Sequence, residues 1–86
     1  MNNASKETAK AFIQRHFIKA DTKVCTMSSY RLKHELQYST NVYMTESDFV
    51  KLMKELGYTK TIRNNWKMRL SDELTKIIRN RERGIW

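Results

Sequence analysis

Side chains able to perform chemistry are few in this sequence and sit apart. The imidazoles are His16 and His34, the one thiol is Cys25, and Glu46 with Asp48 forms a close pair of carboxylates. Two positions apart on a helix, Glu46 and Asp48 point to different faces, which does not suit a shared acid–base task. Neither histidine has a cysteine or carboxylate at the spacing of a metal-binding motif. Cys25 has no evident base beside it and reads as a small buried hydrophobe; being alone, it makes neither an internal disulfide nor a cysteine metal cluster. Gly57 and Gly84 are too far apart to share a phosphate-cradling loop. The expectation is a protein without catalytic residues, metal, cofactor or small-molecule substrate.

Cations are abundant instead. Seventeen Lys and Arg face nine Asp and Glu, a net charge of +8. Such an excess favours an acidic partner, nucleic acid first. The charge is uneven: +4 over residues 1–38, −1 over 39–57 and +5 over 58–86. In the last third, Trp66-Lys67-Met68-Arg69-Leu70 alternates, so an apolar face carries Trp66, Met68 and Leu70 and the opposite face carries Lys67 and Arg69. Lys60, Arg63, Lys67 and Arg69, with Asn64 and Asn65 in the intervening turn, suit backbone phosphates or a minor groove. Arg79, Arg81 and Arg83 extend the basic set toward the C-terminus. Lys51 and Lys54 add phosphate-binding candidates on a central helix whose lack of Arg, Asn and Gln speaks against base-specific readout. Ile85 and Trp86, an apolar tip on the basic tail 79–86, suit a protein partner instead. A sheet edge kept soluble by Lys and Arg is the plainer account of the alternating cations.

The elements that position these groups are read from apolar periodicity and caps. Asn3 or Ser5 caps a first helix that runs to about Ala20, with Ala9, Phe12, Ile13, Phe17 and Ala20 on one face. Lys23–Met27 is short and β-prone and reads as a brief first strand. Ser28 or Ser29 caps a second helix over Tyr30 to about Tyr38, with Leu32 and Leu36 inward. Thr45 with Asp48 forms a variant capping box, and Met44 with Phe49 a hydrophobic staple. Phe49, Leu52, Met53 and Leu56 give that third helix an apolar face, and Gly57 ends it. Tyr58–Ile62 and Trp66–Leu70 are expected as a hairpin around Arg63-Asn64-Asn65. Ser71 caps a last helix, with Asp72 and Glu73 in its first turn and Leu74, Ile77 and Ile78 buried. Helix, strand, two helices and a ribbon make a single α+β domain over 1–86: winged-helix-like, with a three-helix core, a short first strand, a two-stranded wing and a C-terminal helix. No apolar run reaches the ~20 residues of a membrane span, and no signal-peptide pattern opens the chain, so a cytoplasmic protein is expected.

Ser29-Tyr30-Arg31-Leu32-Lys33-His34, then Tyr43-Met44-Thr45, Asp48-Phe49, Met53, Leu56-Gly57-Tyr58 and Asn65-Trp66-Lys67-Met68 carry a resemblance. They resemble small proteins of phages and Gram-positive mobile elements, whose pattern runs Ser-Tyr-Gly-Leu-Lys-His, an Asp-Phe helix ending Gly-Tyr or Gly-Phe, then Asn-x-Trp and a strand. The similarity covers about half the chain, near residues 28–71, and Arg31 stands where many relatives have Gly. It implies a winged-helix-like accessory protein of a phage, pathogenicity island or chromosomal cassette, and assigns no ligand or catalytic residue. Two functions fit. One is a DNA-binding accessory factor, for single or double strands, that supports replication of the element. The other is an adaptor or subunit that binds a replication enzyme such as a polymerase, primase or helicase, or that inhibits a host protein.

Overall fold

In the computed structural model, which describes residues 2–84, the chain folds as α1 (Asn3–His16), β1 (Phe17–Lys19), α2 (Ser29–Thr40), α3 (Glu46–Glu55), β2 (Met68–Leu70) and α4 (Asp72–Glu82). It is a small α+β domain with four helices and a two-stranded antiparallel sheet among the described residues. Each helix begins on a side-chain cap. Asn2 caps α1, in place of the expected Asn3 or Ser5, and Ser28, Thr45 and Ser71 cap the others by accepting a backbone N–H three residues on.

The first helix is shorter than its apolar face implies. It ends at His16 rather than near Ala20, because tertiary donors take its last carbonyls. The Tyr58 hydroxyl donates its one proton to the Phe17 carbonyl and lies 3.2 Å from the Ile13 carbonyl, which accepts the Phe17 N–H, and the Ser71 N–H donates to the His16 carbonyl at 2.7 Å. Released from the helix, Phe17–Lys19 becomes β1 and pairs with β2 in the register Phe17 to Leu70, Ile18 to Arg69 and Lys19 to Met68. The strand expected at Lys23–Met27 therefore lies earlier; of that segment only Cys25 forms a bridge, to Trp66, with Cys25 N–H donating to the Trp66 carbonyl at 2.9 Å.

The ribbon after α3 is also less regular than its alternation predicts. Lys60 bridges Trp66, and Lys67 N–H donates to the Thr59 carbonyl at 2.9 Å, but Met68 N–H turns back onto the Trp66 carbonyl at 3.0 Å. That kink at Lys67 divides the second arm: Trp66 pairs with the ribbon and with Cys25, whereas Met68–Leu70 pairs with β1. The inward–outward pattern survives, since Trp66 and Met68 are fully buried and Lys67 and Arg69 exposed.

Trp66 joins Phe17, Phe49, Leu32, Leu36, Met53, Met68 and Leu74 in one apolar core. Its indole N–H donates to Ser29 Oγ at 3.0 Å, so its polar atom is satisfied inside that core. Cys25 is buried, in line with the reading of it as a small hydrophobe. Met44 and Phe49 are both buried in the core at the start of α3, and Gly57 ends that helix at φ +88°. At the other end, α4 continues through Glu82, so Arg79 and Arg81 belong to its last turns rather than to an irregular tail. No described helix is long and apolar enough to cross a membrane.

Candidate nucleic-acid interface

The sequence-predicted cations fall into separate sites once the chain is folded. The best assembled is the turn between Thr61 and Asn65. Asn64 N–H donates to the Thr61 carbonyl at 3.1 Å, Thr61 N–H to the Asn65 carbonyl at 2.7 Å, and Asn65 N–H to Thr61 Oγ1 at 3.3 Å. Asn64 takes the left-handed conformation at φ 63°, which Asn tolerates better than most residues. The loop is thus Ile62-Arg63-Asn64, one residue earlier than the expected Arg63-Asn64-Asn65. All three are exposed at its tip.

Around that tip Lys60, Arg63, Asn65 and Lys67 line one groove together with Val24 and Ile62. On its other side Lys60, Arg63, Asn64 and Asn65 face the capped starts of α2 and α3, at Ser28 and Glu46. Lys60 is half-buried, its ammonium 5.2 Å from the centre of the Trp66 ring. No carboxylate among the described residues pairs with Lys60, Arg63 or Lys67. Five of the eleven predicted nucleic-acid-binding residues thus converge here: Lys60, Arg63, Asn64, Asn65 and Lys67.

The other six do not join them. Arg69 is exposed on β2, but its guanidinium reaches the Leu70 carbonyl at 3.4 Å and lies 4.0 Å from Asp72. Lys51 and Lys54 line a groove on the outer face of α3 with Lys6, Asp48 and Glu55, where Lys6 and Glu55 pair at 3.5 Å. Arg79 and Arg83 share a groove along α4 with Lys76, Asn80 and Asp72. Arg81 points the opposite way: its guanidinium meets the Glu35 carboxylate, 3% exposed, and lies 4.7 Å from the Tyr38 ring centre. Arg81 is half-buried and engaged with Glu35 and Tyr38, away from the Thr61–Asn65 turn. Ile85 and Trp86, the predicted partner-binding tip, lie outside the described residues.

The chain matches no protein-family model, no curated protein and no solved structure. Its residues and their geometry are therefore the ground for any functional reading.

Helix α2 carries two further features. Glu35 shares the buried side of Leu32 and Leu36, and its three-residue spacing from Leu32 is the sign of that in the sequence. Tyr30, His34 and Tyr38, at i, i+4 and i+8, form a row of rings along α2, with centroids 4.4 Å and 6.1 Å apart. The Lys33 ammonium lies between Tyr30 and Tyr43, 5.1 Å and 5.3 Å from their ring centres.

Cys25 and His16 serve the interior. Burial pushes the Cys25 thiol up, which opposes thiolate formation. His16 packs on the Phe12 ring and holds Ser71 Oγ at 2.7 Å through Nδ1. No group of three His, Cys, Asp or Glu among the described residues is placed to hold a metal ion.

Proposed function

We propose that this chain is a non-enzymatic, winged-helix-like DNA-binding accessory protein of a phage or mobile genetic element, supporting replication of that element through contacts to the nucleic-acid backbone. The observation that carries the reading is the turn at Thr61–Asn65, which gathers three cations without carboxylate partners and two asparagines around one exposed tip. The winged-helix assignment is supported by element order and by the pairing of β1, which precedes α2, with β2 in the second arm of the ribbon. In that arrangement the ribbon is the wing. The mobile-element origin rests on the resemblance of residues 28–71.

Lys60, Arg63 and Lys67 serve as phosphate contacts, which position the protein on the nucleic acid without reading sequence. Helix α3 contributes little base recognition, since its exposed residues mix Lys51 and Lys54 with Glu46, Asp48 and Glu55. Binding titrations of duplex and single-stranded DNA across a salt series test the proposal. Affinity should fall steeply with salt, and the triple variant Lys60→Ala/Arg63→Ala/Lys67→Ala should bind every sequence more weakly, with a log–log salt slope shallower by about 2–3. Full binding by the triple variant rejects the tip as the site.

A specific observation favours a second reading, the protein adaptor. Tyr30, Tyr38 and Tyr43 are well exposed, and Tyr and Arg are the side chains that most often anchor protein interfaces. Co-purification of the element's replication proteins with the wild type, but not with Tyr30→Ala/Tyr38→Ala, would favour it over the DNA reading.

A further inference from the structure

Ile62 stands where neither the turn nor the core calls for it. It is fully exposed, at 102% of the reference area, and it occupies the first loop position after Thr61. Turn positions favour Pro, Gly, Asn, Asp or Ser, whereas a β-branched aliphatic residue favours a strand. Its neighbours on the tip are Arg63 and Asn64, both exposed, and it lines a groove with Val24, Lys60, Asn65 and Lys67. Three hydrogen bonds between Thr61 and the two asparagines close the turn beneath the tip.

We propose that Ile62 is an apolar wedge that enters a base step of duplex DNA from the minor groove and kinks the helix. The inference rests on the reading of the Thr61–Asn65 turn as the DNA-contacting element. Architectural proteins that approach the minor groove commonly unstack a step with an aliphatic side chain, and the bent duplex then meets more of the protein surface. Here Arg63, Lys60 and Lys67 supply the cations for the phosphates on either side of the groove. Asn64 and Asn65 offer amide donors to the purine N3 and pyrimidine O2 acceptors on its floor. Ile62, with no hydrogen-bonding atom in its side chain and no solvent protection in the free protein, is the residue that gains from insertion between bases. The pyrimidine–purine steps that unstack most readily are the preferred targets.

The test is end-to-end energy transfer on a short duplex labelled at both ends, with anisotropy binding in parallel. The wild type should bring the ends closer on binding. Ile62→Ala should bind about tenfold more weakly, equivalent to about 1.4 kcal/mol, and leave the duplex straight. Its salt slope should match the wild type, because no charge is lost. Ile62→Leu should restore the bend. Since Ile62 is fully exposed, both variants are expected to melt as the wild type does, which thermal unfolding checks. A wild type that binds without bending, or Ile62→Ala that bends as well as the wild type, overturns the wedge while leaving the DNA-binding reading standing. Undiminished binding by the Lys60, Arg63 and Lys67 triple variant overturns both, by removing the turn from the DNA altogether.

Discussion

Two buried polar side chains, Glu35 and His16, set how this small domain responds to substitution and to pH. Glu35 is buried against Arg81, and its Oε1 has no hydrogen-bond partner among the described residues. Removing the guanidinium leaves a buried carboxylate without its counter-charge, so Arg81→Ala should lower unfolding free energy by about 3 kcal/mol in a urea titration. Arg63→Ala, on the exposed tip, should stay within about 0.5 kcal/mol of the wild type. His16 gives the pH dependence. Burial holds its pKa below the ordinary value, opposed by the Glu73 carboxylate and reinforced by Arg15. The unfolded chain then binds a proton that the folded chain refuses. The contribution of neutral His16 to stability is complete above the usual imidazole pKa of about 6.5 and is lost as pH falls through the lower folded value. Urea unfolding at about pH 7.5 and about pH 5 should show a loss in the wild type that His16→Asn reduces, Asn keeping a polar atom near Ser71.

At the scale of elements, local and tertiary demands agree at α3 and compete at the end of α1. Thr45 Oγ1 accepts from Asp48 N–H at 3.1 Å, so the helix start is stabilised within four residues of sequence. Thr45→Ala should cost about 1 kcal/mol by chemical denaturation. Gly57, at φ +88°, needs the conformational freedom of glycine, and a Cβ there would sit 3.0 Å from the Lys19 ammonium. The lysine end can move away, so the cost of Gly57→Ala is the backbone's, about 1 kcal/mol, read from the same titration. At α1 the apolar face at Ala9, Phe12, Ile13, Phe17 and Ala20 is equally periodic, yet the helix stops at His16. Tyr58 and Ser71, distant in sequence, bond the Phe17 and His16 carbonyls where that helix would continue, and β2 offers Phe17–Lys19 a ladder. Helical periodicity carries no information about a donor arriving from forty or more residues away.

On the whole molecule, the +8 charge resolves into cations with different tasks. Arg15–Glu73, Arg31–Glu82 and Lys6–Glu55 are exposed pairs, each worth at most about 1 kcal/mol, that tie α1 and α2 to later elements. Lys60, Arg63 and Lys67 have no such partner among the described residues and remain available to an anionic ligand. If the proposed DNA contact at the turn holds, neutralising Arg15 and Lys6 should leave the salt slope of DNA binding nearly unchanged, whereas neutralising Lys60, Arg63 and Lys67 should not.

Sequence alone determined what depends on neighbours a few positions apart: the caps at Thr45 and Ser71, the end of α3 at Gly57, the buried face of Trp66 and Met68, and the cationic excess of the last third. These follow from side-chain spacing and from hydrogen bonds within one turn of helix. Tertiary structure decided which strand pairs with β2, where α1 ends and which arginine is spent inside. Those outcomes depend on distant groups competing for the same carbonyl or carboxylate: Tyr58 for Phe17, Ser71 for His16 and Arg81 for Glu35. It also set Ile62 in solvent at the tip of a cationic turn, because the loop begins one residue earlier than the asparagines suggest, at the residue with most to gain from a partner.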